Sequence, residues 1–306
     1  MPEGYGRAAH EARRVPRLDI AGAARHPEPS MTDVPRRGPL GPFLALAALF
    51  LVVRGTFVAS AADVFFYAEE LEKGAAAKAL LDGIHVNYAR LPFHPYEGGG
   101  FVASHLKAVA FLIVGPSLLA HKLVALFTSI LVLAAGYALC VRHASRRAGV
   151  LFGVLFTFAP IAFQKLSLLS LGIHFEAIAF VFVVLDRGLT LLRAPTLRRG
   201  DLVVLGLAVG FGTYFSYQVA LAAAWVVLVA MVRRRALFAP RVLAAGFSAF
   251  LVGFAPWLAM YAAVGAEMFD IHGSELVGER PSGLAALRSL LGATLSAPPV
   301  ELVRCL

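Results

Sequence analysis

The chain of 306 residues is 59% hydrophobic, only 15% charged, and has a formal net charge of +9. A water-soluble enzyme of this length would carry more charge, so the composition indicates a membrane protein with several spans. The basic residues form short clusters between apolar segments, which argues against nucleic acid as a partner. The two cysteines define no disulfide framework, and we expect Cys140 and Cys305 on opposite sides of the membrane.

The first segment, residues 1–38, is polar and rich in Arg and Pro. It has no apolar region near its start, so we predict a disordered cytoplasmic tail and not a cleavable signal peptide. Met31 stands just before the first apolar segment and is a second candidate, beside Met1, for the start of translation. We assign residues 39–264 to a transmembrane domain and 265–306 to an external C-terminal segment.

Seven apolar segments are candidates for membrane spans, since a helix needs about 20 apolar residues to cross the hydrocarbon core. They are residues 40–59, 117–140, 148–164, 168–185, 202–215, 217–232 and 241–263. The arginine-rich connections are "VPRRG", "VRHASRR", "DRGLTLLRAPTLRRG" and "VRRRALFAPR". The positive-inside rule puts all of them in the cytoplasm. We therefore predict an all-α polytopic membrane protein with about seven transmembrane helices, its N-terminus in the cytoplasm and its C-terminus outside.

Two apolar segments do not fit this topology as single membrane-spanning helices. Residues 101–115 are apolar but short, and they contain His105 and Lys107, so we predict an interfacial helix on the outer leaflet. Residues 202–232 join two cytoplasmic clusters and must form a hairpin of two short helices that turns at "GFGTYFSYQ". Three glycines would allow close helix packing in this hairpin: Gly206, Gly210 and Gly212.

The long external loop, residues 60–100, follows the first span. Its segment "YAEELEKGAAAKALLDG" has a helical pattern, with Gly83 as the expected stop. The charged residues of this helix are expected to form a solvated face, and they are Glu69, Glu70, Glu72 and Lys73.

Asp63 lies within one turn of the outer end of the first predicted span. One interpretation is that its side chain caps the following helix, because Asp is a favourable N-cap residue. The other is that it acts as a general base at the membrane surface, because ionisable groups at membrane depth are usually functional. The sequence allows both.

Several other ionisable residues of the external loop could take part in a site. The residues considered as metal ligands are His85, His94, Glu97 and His105. Their spacing fits no compact zinc motif, so no metal site is predicted, and a divalent metal is the one candidate cofactor. His94 and Glu97 lie beside the segment "GGG", expected to be flexible, and are candidates for holding substrate.

The segment "FQKLSLLSLGIHFEAIAF" carries three ionisable residues close to an apolar helix, namely Lys165, His174 and Glu176. Charged groups in such a position are costly and usually face the bundle interior or a cavity. A functional role and a buried structural pair of Glu176 with Lys165 or His174 both remain open. Lys165 would suit a phosphate group as a point charge.

The segments "DVFFYAEELEKG" and "HPYEGGGFVASHLKAVAFLIVGPSLLAHKLVALFTSILVL" resemble the start of GT-C superfamily glycosyltransferases, in particular protein mannosyltransferases and the aminoarabinose transferases of lipid A. There the first span ends at an acidic residue in an Asp-x-x-x-Tyr-Ala-like context, matched here by Asp63, Tyr67 and Ala68. A second acidic position opens the fourth span, where this chain has Glu176. The resemblance covers residues 40–264. Because those enzymes are usually longer, we expect a truncated member.

The resemblance implies a glycosyltransferase that moves a sugar from a polyprenyl-phosphate donor to a lipid or glycan acceptor on the outer face of the cell's inner membrane. The expected catalytic residues are Asp63 and Glu176. The expected substrate-binding residues are Lys165, His174, His94, Glu97 and Tyr67. A transporter or flippase is an alternative, although transporters usually bind substrate near the midplane between inverted repeats, and no repeat is visible here. A non-catalytic fragment of a transferase is a second alternative.

Overall fold

The computed structural model describes residues 40–88, 96–265 and Phe269. The predicted tail and almost all of the predicted C-terminal segment lie outside these residues. The described part is helical and contains no strand. Its helices are α1 (Leu40–Ala61), α2 (Ala68–Leu81), α3 (Gly99–Val114), α4 (Leu118–His143), α5 (Arg146–Thr157), α6 (Ile161–Leu166), α7 (Ile178–Arg193), α8 (Arg199–Phe215), α9 (Gln218–Arg233) and α10 (Pro240–Val264), with a 3₁₀ helix at Arg235–Phe238.

Three of the helices, α1, α4 and α10, are long and apolar enough to cross a membrane. They have 22, 26 and 25 residues, and at about 1.5 Å per residue each exceeds the roughly 30 Å of a bilayer core. The other four predicted spans correspond to α5, α7, α8 and α9, which have 12 to 17 residues. An all-α architecture of membrane type is therefore supported, whereas seven crossings remain a prediction.

The third predicted span, residues 148–164, is interrupted. Helix α5 ends at Thr157, and Pro160 stands at the N-cap of the short helix α6. Proline has no backbone N–H and its ring obstructs the preceding turn, so a continuous helix through this position is disfavoured.

The fourth predicted span begins ten residues later than expected. Helix α7 starts at Ile178, and residues 167–177 before it form an irregular segment that contains Gly172 at a positive φ of 95°. The backbone carbonyl groups of this segment bond outside it, because Ser129 Oγ donates to Ser167 O at 2.6 Å and Lys107 Nζ to Ser170 O at 2.8 Å. The prediction of a helix from 168 was therefore wrong.

The predicted hairpin is present, with α8 and α9 separated by Ser216 and Tyr217. Glycines bring α8 against α10. A Cβ on Gly206 would lie 2.5 Å from the carbonyl oxygen of Gly246, and a Cβ on Gly210 would lie 2.2 Å from that of Phe250. No larger residue fits these positions without moving a backbone, so the predicted close packing is confirmed, with α10 as the partner of α8.

Helix α1 contains a fully buried arginine, Arg54. Its guanidinium donates to Ser167 Oγ (3.1 Å), Thr157 O (2.9 Å), Gln164 Oε1 (2.7 Å) and Phe156 O (3.2 Å). The two carbonyl groups belong to the last turn of α5, where no intrahelical N–H is available. Arg54 therefore provides hydrogen-bond donors for the free carbonyl groups at the end of α5, and it links α1 to α5 and α6.

The two ends of the helix bundle differ in chemistry. Residues 142–241 include eleven arginines and two aspartates, which cluster in the segments 142–147, 186–201 and 233–241; we call this the arginine end. The opposite end carries α2, the segment 167–177 and the α8–α9 turn, and here glutamates, lysines and histidines are brought together. The candidate site lies at this second end.

Candidate functional site

Helix α2 turns its charged face inward. Glu69, Glu70 and Lys73 are 7%, 0% and 1% exposed. The opposite expectation, a solvated face, was wrong, because small residues let α2 pack closely against α3 and reach the start of α4. A Cβ on Gly100 of α3 would lie 2.8 Å from Lys73 Cε, and a Cβ on Gly74 would meet the His121 ring at 2.2 Å. The helix itself, and its end before Gly83 at φ 73°, match the prediction.

Glu70 is the centre of a buried network. Its Oε2 accepts from Lys122 Nζ at 2.7 Å, and its Oε1 accepts from the backbone N–H and the hydroxyl of Ser170, both at 3.0 Å. Lys107 Nζ donates to the carbonyl groups of Glu70 and Ser170 at 2.8 Å each, and burial lowers the pKa of Lys107 to about 7. Because both carboxylate oxygens are satisfied, Glu70 joins α2, α4 and the segment 167–177 as a structural centre.

Glu176 is the carboxyl group with unused bonding capacity. It is 5% exposed and lies just before α7. Its Oε1 accepts from Gly172 N at 3.0 Å, while its Oε2 is buried with no hydrogen-bond partner among the described residues. Burial raises the pKa of Glu176, and the bond from Gly172 and the charges of Lys107 and His174 oppose this shift. No ion pair with Lys165 or His174 forms within the described part of the chain, so the alternative of a structural pair is wrong there.

Glu176 lines an apolar cleft of about 300 Å³ between α3, α4, α7 and α8. The remaining lining is apolar apart from Thr128, with Phe180 and Phe211 on one side. The cleft follows α4 from Val124 to Ala135, a distance of roughly 16 Å at 1.5 Å per residue. A single carboxyl group therefore stands beside a long apolar cleft, the arrangement expected for a ligand with a polar head and a hydrocarbon tail.

A crossing of two backbone segments fixes the loop that carries Glu176. Gly98 N donates to Tyr214 O at 2.7 Å, and a Cβ on Gly99 would lie 1.9 Å from Gly172 O. A Cβ on Gly172 would in turn lie 2.6 Å from Gly99 O. The glycines of "EGGG" therefore serve close backbone approach, and the expectation that they form a flexible grip was wrong.

Glu97, predicted to bind substrate, bonds to the α8–α9 turn. Its Oε1 accepts from Ser216 Oγ at 2.9 Å and from Tyr217 N at 2.6 Å. Tyr217 is the N-cap position of α9, where a negative charge is favoured by the free N–H groups and the helix dipole. The Tyr217 hydroxyl also accepts from Trp257 Nε1 at 2.9 Å. These contacts account for Glu97 as an anchor of the turn.

His174 lies next to Glu69, which was expected on a solvated helix face. His174 Nε2 is 3.5 Å from Glu69 Oε2, and the hydrogen bond to Glu69 raises the pKa of His174. Glu69 Oε1 is buried and has no hydrogen-bond partner in the described residues. Gln218 holds the backbone here by donating to the carbonyl groups of Ile173 and His174 at 2.7 Å. Glu69 and His174 thus form a close pair, and His174 also interacts electrostatically with Glu176.

Asp63, Tyr67 and Lys165 lie on a separate, exposed part of the same end. Asp63 is exposed in the turn after α1, with no hydrogen bond or ion pair in the part of the chain that the structure describes. Helix α2 begins after Tyr67, whose side chain makes no capping bond, so the alternative that Asp63 caps this helix is wrong. Lys165 Nζ lies 6.0 Å from the ring centroid of Phe65, which places α6 beside the turn that carries Asp63.

The loop that carries the four residues considered as metal ligands is only partly described. His94 lies outside the described residues. Within residues 40–88 and 96–265, no group of three or more His, Cys, Asp or Glu side chains could hold a metal ion.

Sequence signals could have identified part of this site. An Asp or Glu at the edge of an apolar segment identified Asp63 and Glu176, but the burial of Glu69 depends on packing against α3 and α4 and has no local signal. No protein-family model, curated protein sequence or solved structure matches the chain. The functional conclusion therefore rests on the geometry of the site and on the resemblance of its segments.

Proposed function

We propose that this protein is a membrane glycosyltransferase that moves a sugar from a polyprenyl-phosphate donor to a lipid or glycan acceptor. The observation that carries the proposal is the buried Glu176 carboxyl group, with one unpartnered oxygen, beside an apolar cleft. The resemblance to GT-C enzymes supplies the reaction class.

The cleft supports a donor with an isoprenoid tail. Its length of roughly 16 Å and its apolar lining favour a hydrocarbon chain, because burying apolar surface is worth about 25 cal/mol per Å². A sugar alone would leave its hydroxyl groups without partners in such a cleft, and unpaired buried polar groups are costly. The tail therefore lies in the cleft and the phosphate and sugar lie at its Glu176 end.

The carboxyl group supports proton removal from the acceptor. The acceptor hydroxyl oxygen attacks the anomeric carbon, the bond from that carbon to the phosphate oxygen breaks, and the phosphate leaves with the electron pair. Glu176 takes the hydroxyl proton. A base is most effective when its pKa lies near the working pH, and burial shifts the pKa of Glu176 upward. Attack on the face opposite the phosphate inverts the configuration of the sugar.

The phosphate needs a cation. Lys165 is exposed on α6 at the same end of the bundle, and a lysine is a suitable point charge for phosphate. We assign contact with the sugar or the acceptor to His174, which lies near Glu69. Asp63 remains the rival candidate for the base, and the variants Glu176→Gln and Asp63→Asn distinguish the two.

The test is a transfer assay on purified full-length protein with a panel of radiolabelled polyprenyl-phosphate sugars. We expect label in an acceptor with one member of the panel, and transfer lower by roughly two to four orders of magnitude with Glu176→Gln. Asp82→Asn is the matched control, because Asp82 is exposed and pairs only with Lys78 in the described residues. The proposal fails if folded protein transfers no sugar from the panel. Movement of an intact fluorescent polyprenyl phosphate across liposomes, without transfer, would favour the transporter alternative.

The donor phosphate has its own test. Lys165→Gln should weaken donor binding roughly 10- to 150-fold, since a hydrogen bond to a charged group is worth about 1.5–3 kcal/mol. Unchanged donor affinity in this variant would remove Lys165 from the site and leave the rest of the proposal standing.

A further inference from the structure

A second and larger cleft, of about 620 Å³, lies between α7, α8, α9 and α10. Its lining is apolar and shares no residue with the cleft beside Glu176. It includes Leu237 and Phe238 of the 3₁₀ helix and three glycines, Gly188, Gly206 and Gly246. This cleft is therefore separate from the cleft beside Glu176, and its lining reaches the arginine end of the bundle.

The dimensions of the cleft fit one hydrocarbon chain. It follows α10 from Val242 to Phe250, a distance of roughly 12 Å, which is close to the depth of one leaflet, about half of a 30 Å core. A Cβ built on Gly246 meets no atom within 4 Å, so the space in front of this glycine is open. The apolar cleft therefore has room for a hydrocarbon chain that packs against its lining.

Two arginines adjoin, along the chain, residues that line the cleft. Arg235 opens the 3₁₀ helix whose Leu237 and Phe238 line the cleft, and Arg241 immediately precedes the lining residue Val242. Both arginines are exposed. Arg234 joins the end of α9 to the 3₁₀ helix. Its guanidinium donates to the carbonyl groups of Leu191 and Ala194, which holds the 3₁₀ helix against the end of α7.

The acidic side chains at this end are already engaged. Asp186 pairs with Arg142 and His143, and Asp201 lies 3.6 Å from Arg187. The charge of Arg235 and Arg241 is therefore not neutralised by these aspartates. Basic residues beside a cleft between apolar helices are typical of sites for anionic lipid head groups.

We propose that this cleft binds one acyl chain of an anionic phospholipid, with the lipid phosphate held by Arg235 and Arg241. Arginine suits this contact because its planar guanidinium pairs with phosphate oxygens through two parallel hydrogen bonds. The second acyl chain lies on the outer surface of α10, whose Leu251 and Val252 are exposed.

Native mass spectrometry of the full-length protein in detergent tests the proposal, with phosphatidylglycerol and phosphatidylcholine of identical acyl chains as the two probes. We expect one retained lipid per chain and a roughly 30-fold preference for phosphatidylglycerol, which corresponds to two arginines at about 1 kcal/mol each. Replacing both residues, Arg235→Gln and Arg241→Gln, should remove the preference. Gly246→Phe should fill the cleft and reduce retention of both lipids.

Two control variants match these changes. Arg146→Gln with Arg147→Gln removes two exposed arginines of another cluster at the same end, and Gly55→Phe adds a ring at a glycine of α1 that also has open space in front of it. Both should leave lipid retention unchanged. Equal retention of the two lipids, full retention by Gly246→Phe, or equal losses in the controls would overturn the proposal. If Gly246→Phe does not fold, the comparison of the Arg235/Arg241 double variant with the Arg146/Arg147 double variant decides whether the proposal holds. Sugar transfer is not needed for any of these readings.

Discussion

Replacing Glu176 by Gln separates its chemistry from its structural contact. The amide oxygen of Gln can still accept from Gly172 N, the 3.0 Å bond that Oε1 makes. The variant therefore keeps the hydrogen bond that orders the segment before α7, and loses only the ability to take a proton. Glu176→Leu loses both and serves as the structural comparison.

The expected magnitudes differ between the two variants. Sugar transfer by Glu176→Gln should fall by roughly two to four orders of magnitude, which is the usual contribution of a general base. Its stability at acidic pH should stay within about 1 kcal/mol, because no hydrogen bond to the backbone is lost. Glu176→Leu leaves the buried Gly172 N–H unpaired, which costs about 1–3 kcal/mol.

The pH dependence gives an independent measurement. Burial raises the pKa of Glu176 in the folded state above the value of about 4.3 expected in an unfolded chain. The unfolded chain therefore loses this proton first, and stability declines as the pH rises from about 4 towards the raised pKa, by at most about 1.4 kcal/mol per pH unit for one proton. Glu176→Gln lacks this decline, so its Tm should gain on that of the natural protein as the pH rises through this window.

Two measurements test the role of the Glu176 carboxyl group: initial transfer rates at neutral pH, and Tm between pH 4 and 8. Both are made on the variants and on the Asp82→Asn control. A Glu176→Gln protein that transfers sugar within threefold of the natural rate would refute the role of the carboxyl group. A constant difference in Tm across the pH range would show that burial does not shift its pKa.

The remaining predictions concern other residues at the end of the bundle that carries α2 and Glu176. Asp63→Asn should reduce transfer by less than tenfold if Glu176 is the base, and a loss of roughly two to four orders of magnitude in rate assays would assign the base to Asp63. Glu70→Gln leaves the fully buried Lys122 without its ion-pair partner and should lower the unfolding free energy by about 3–5 kcal/mol, measured by thermal or denaturant unfolding. Gly99→Ala puts a Cβ 1.9 Å from the carbonyl oxygen of Gly172, so we expect a markedly lower Tm, and an unchanged Tm would contradict the tight crossing.

Helix α2 shows which features could be predicted from the sequence and which could not. The helical pattern and the stop at Gly83 were predictable because they depend on local propensity and on a residue that tolerates positive φ. The burial of Glu69 and Glu70 was not predictable, because a charged helical face is usually solvated. It depends on partners more than 50 residues away, such as Lys122.

The predicted site residues also divide into those identified from the local sequence and those whose role depends on distant partners. Glu176 was identified because an acidic residue at the edge of an apolar segment is costly and therefore informative. Its partner Gly172, only four residues away, was missed because the segment was assigned to a helix. The role of Glu97 could not be read from its neighbours, because it depends on Ser216, 119 residues further along the chain.

The buried Arg54 has a consequence for biosynthesis. An arginine near the middle of a transmembrane helix costs about 2.5–3.5 kcal/mol on insertion scales, and its partners lie 102 to 113 residues further along the chain. While the ribosome is still making those residues, the first helix carries a charge with nothing to bond to. We expect α1 to insert poorly, or to stay at the translocon, in nascent chains that end before Phe156, and to settle once Ser167 has emerged. Arg54→Leu should remove this length dependence in a glycosylation-mapping assay of stalled chains, at the cost of unpaired carbonyl groups at the end of α5 in the finished protein.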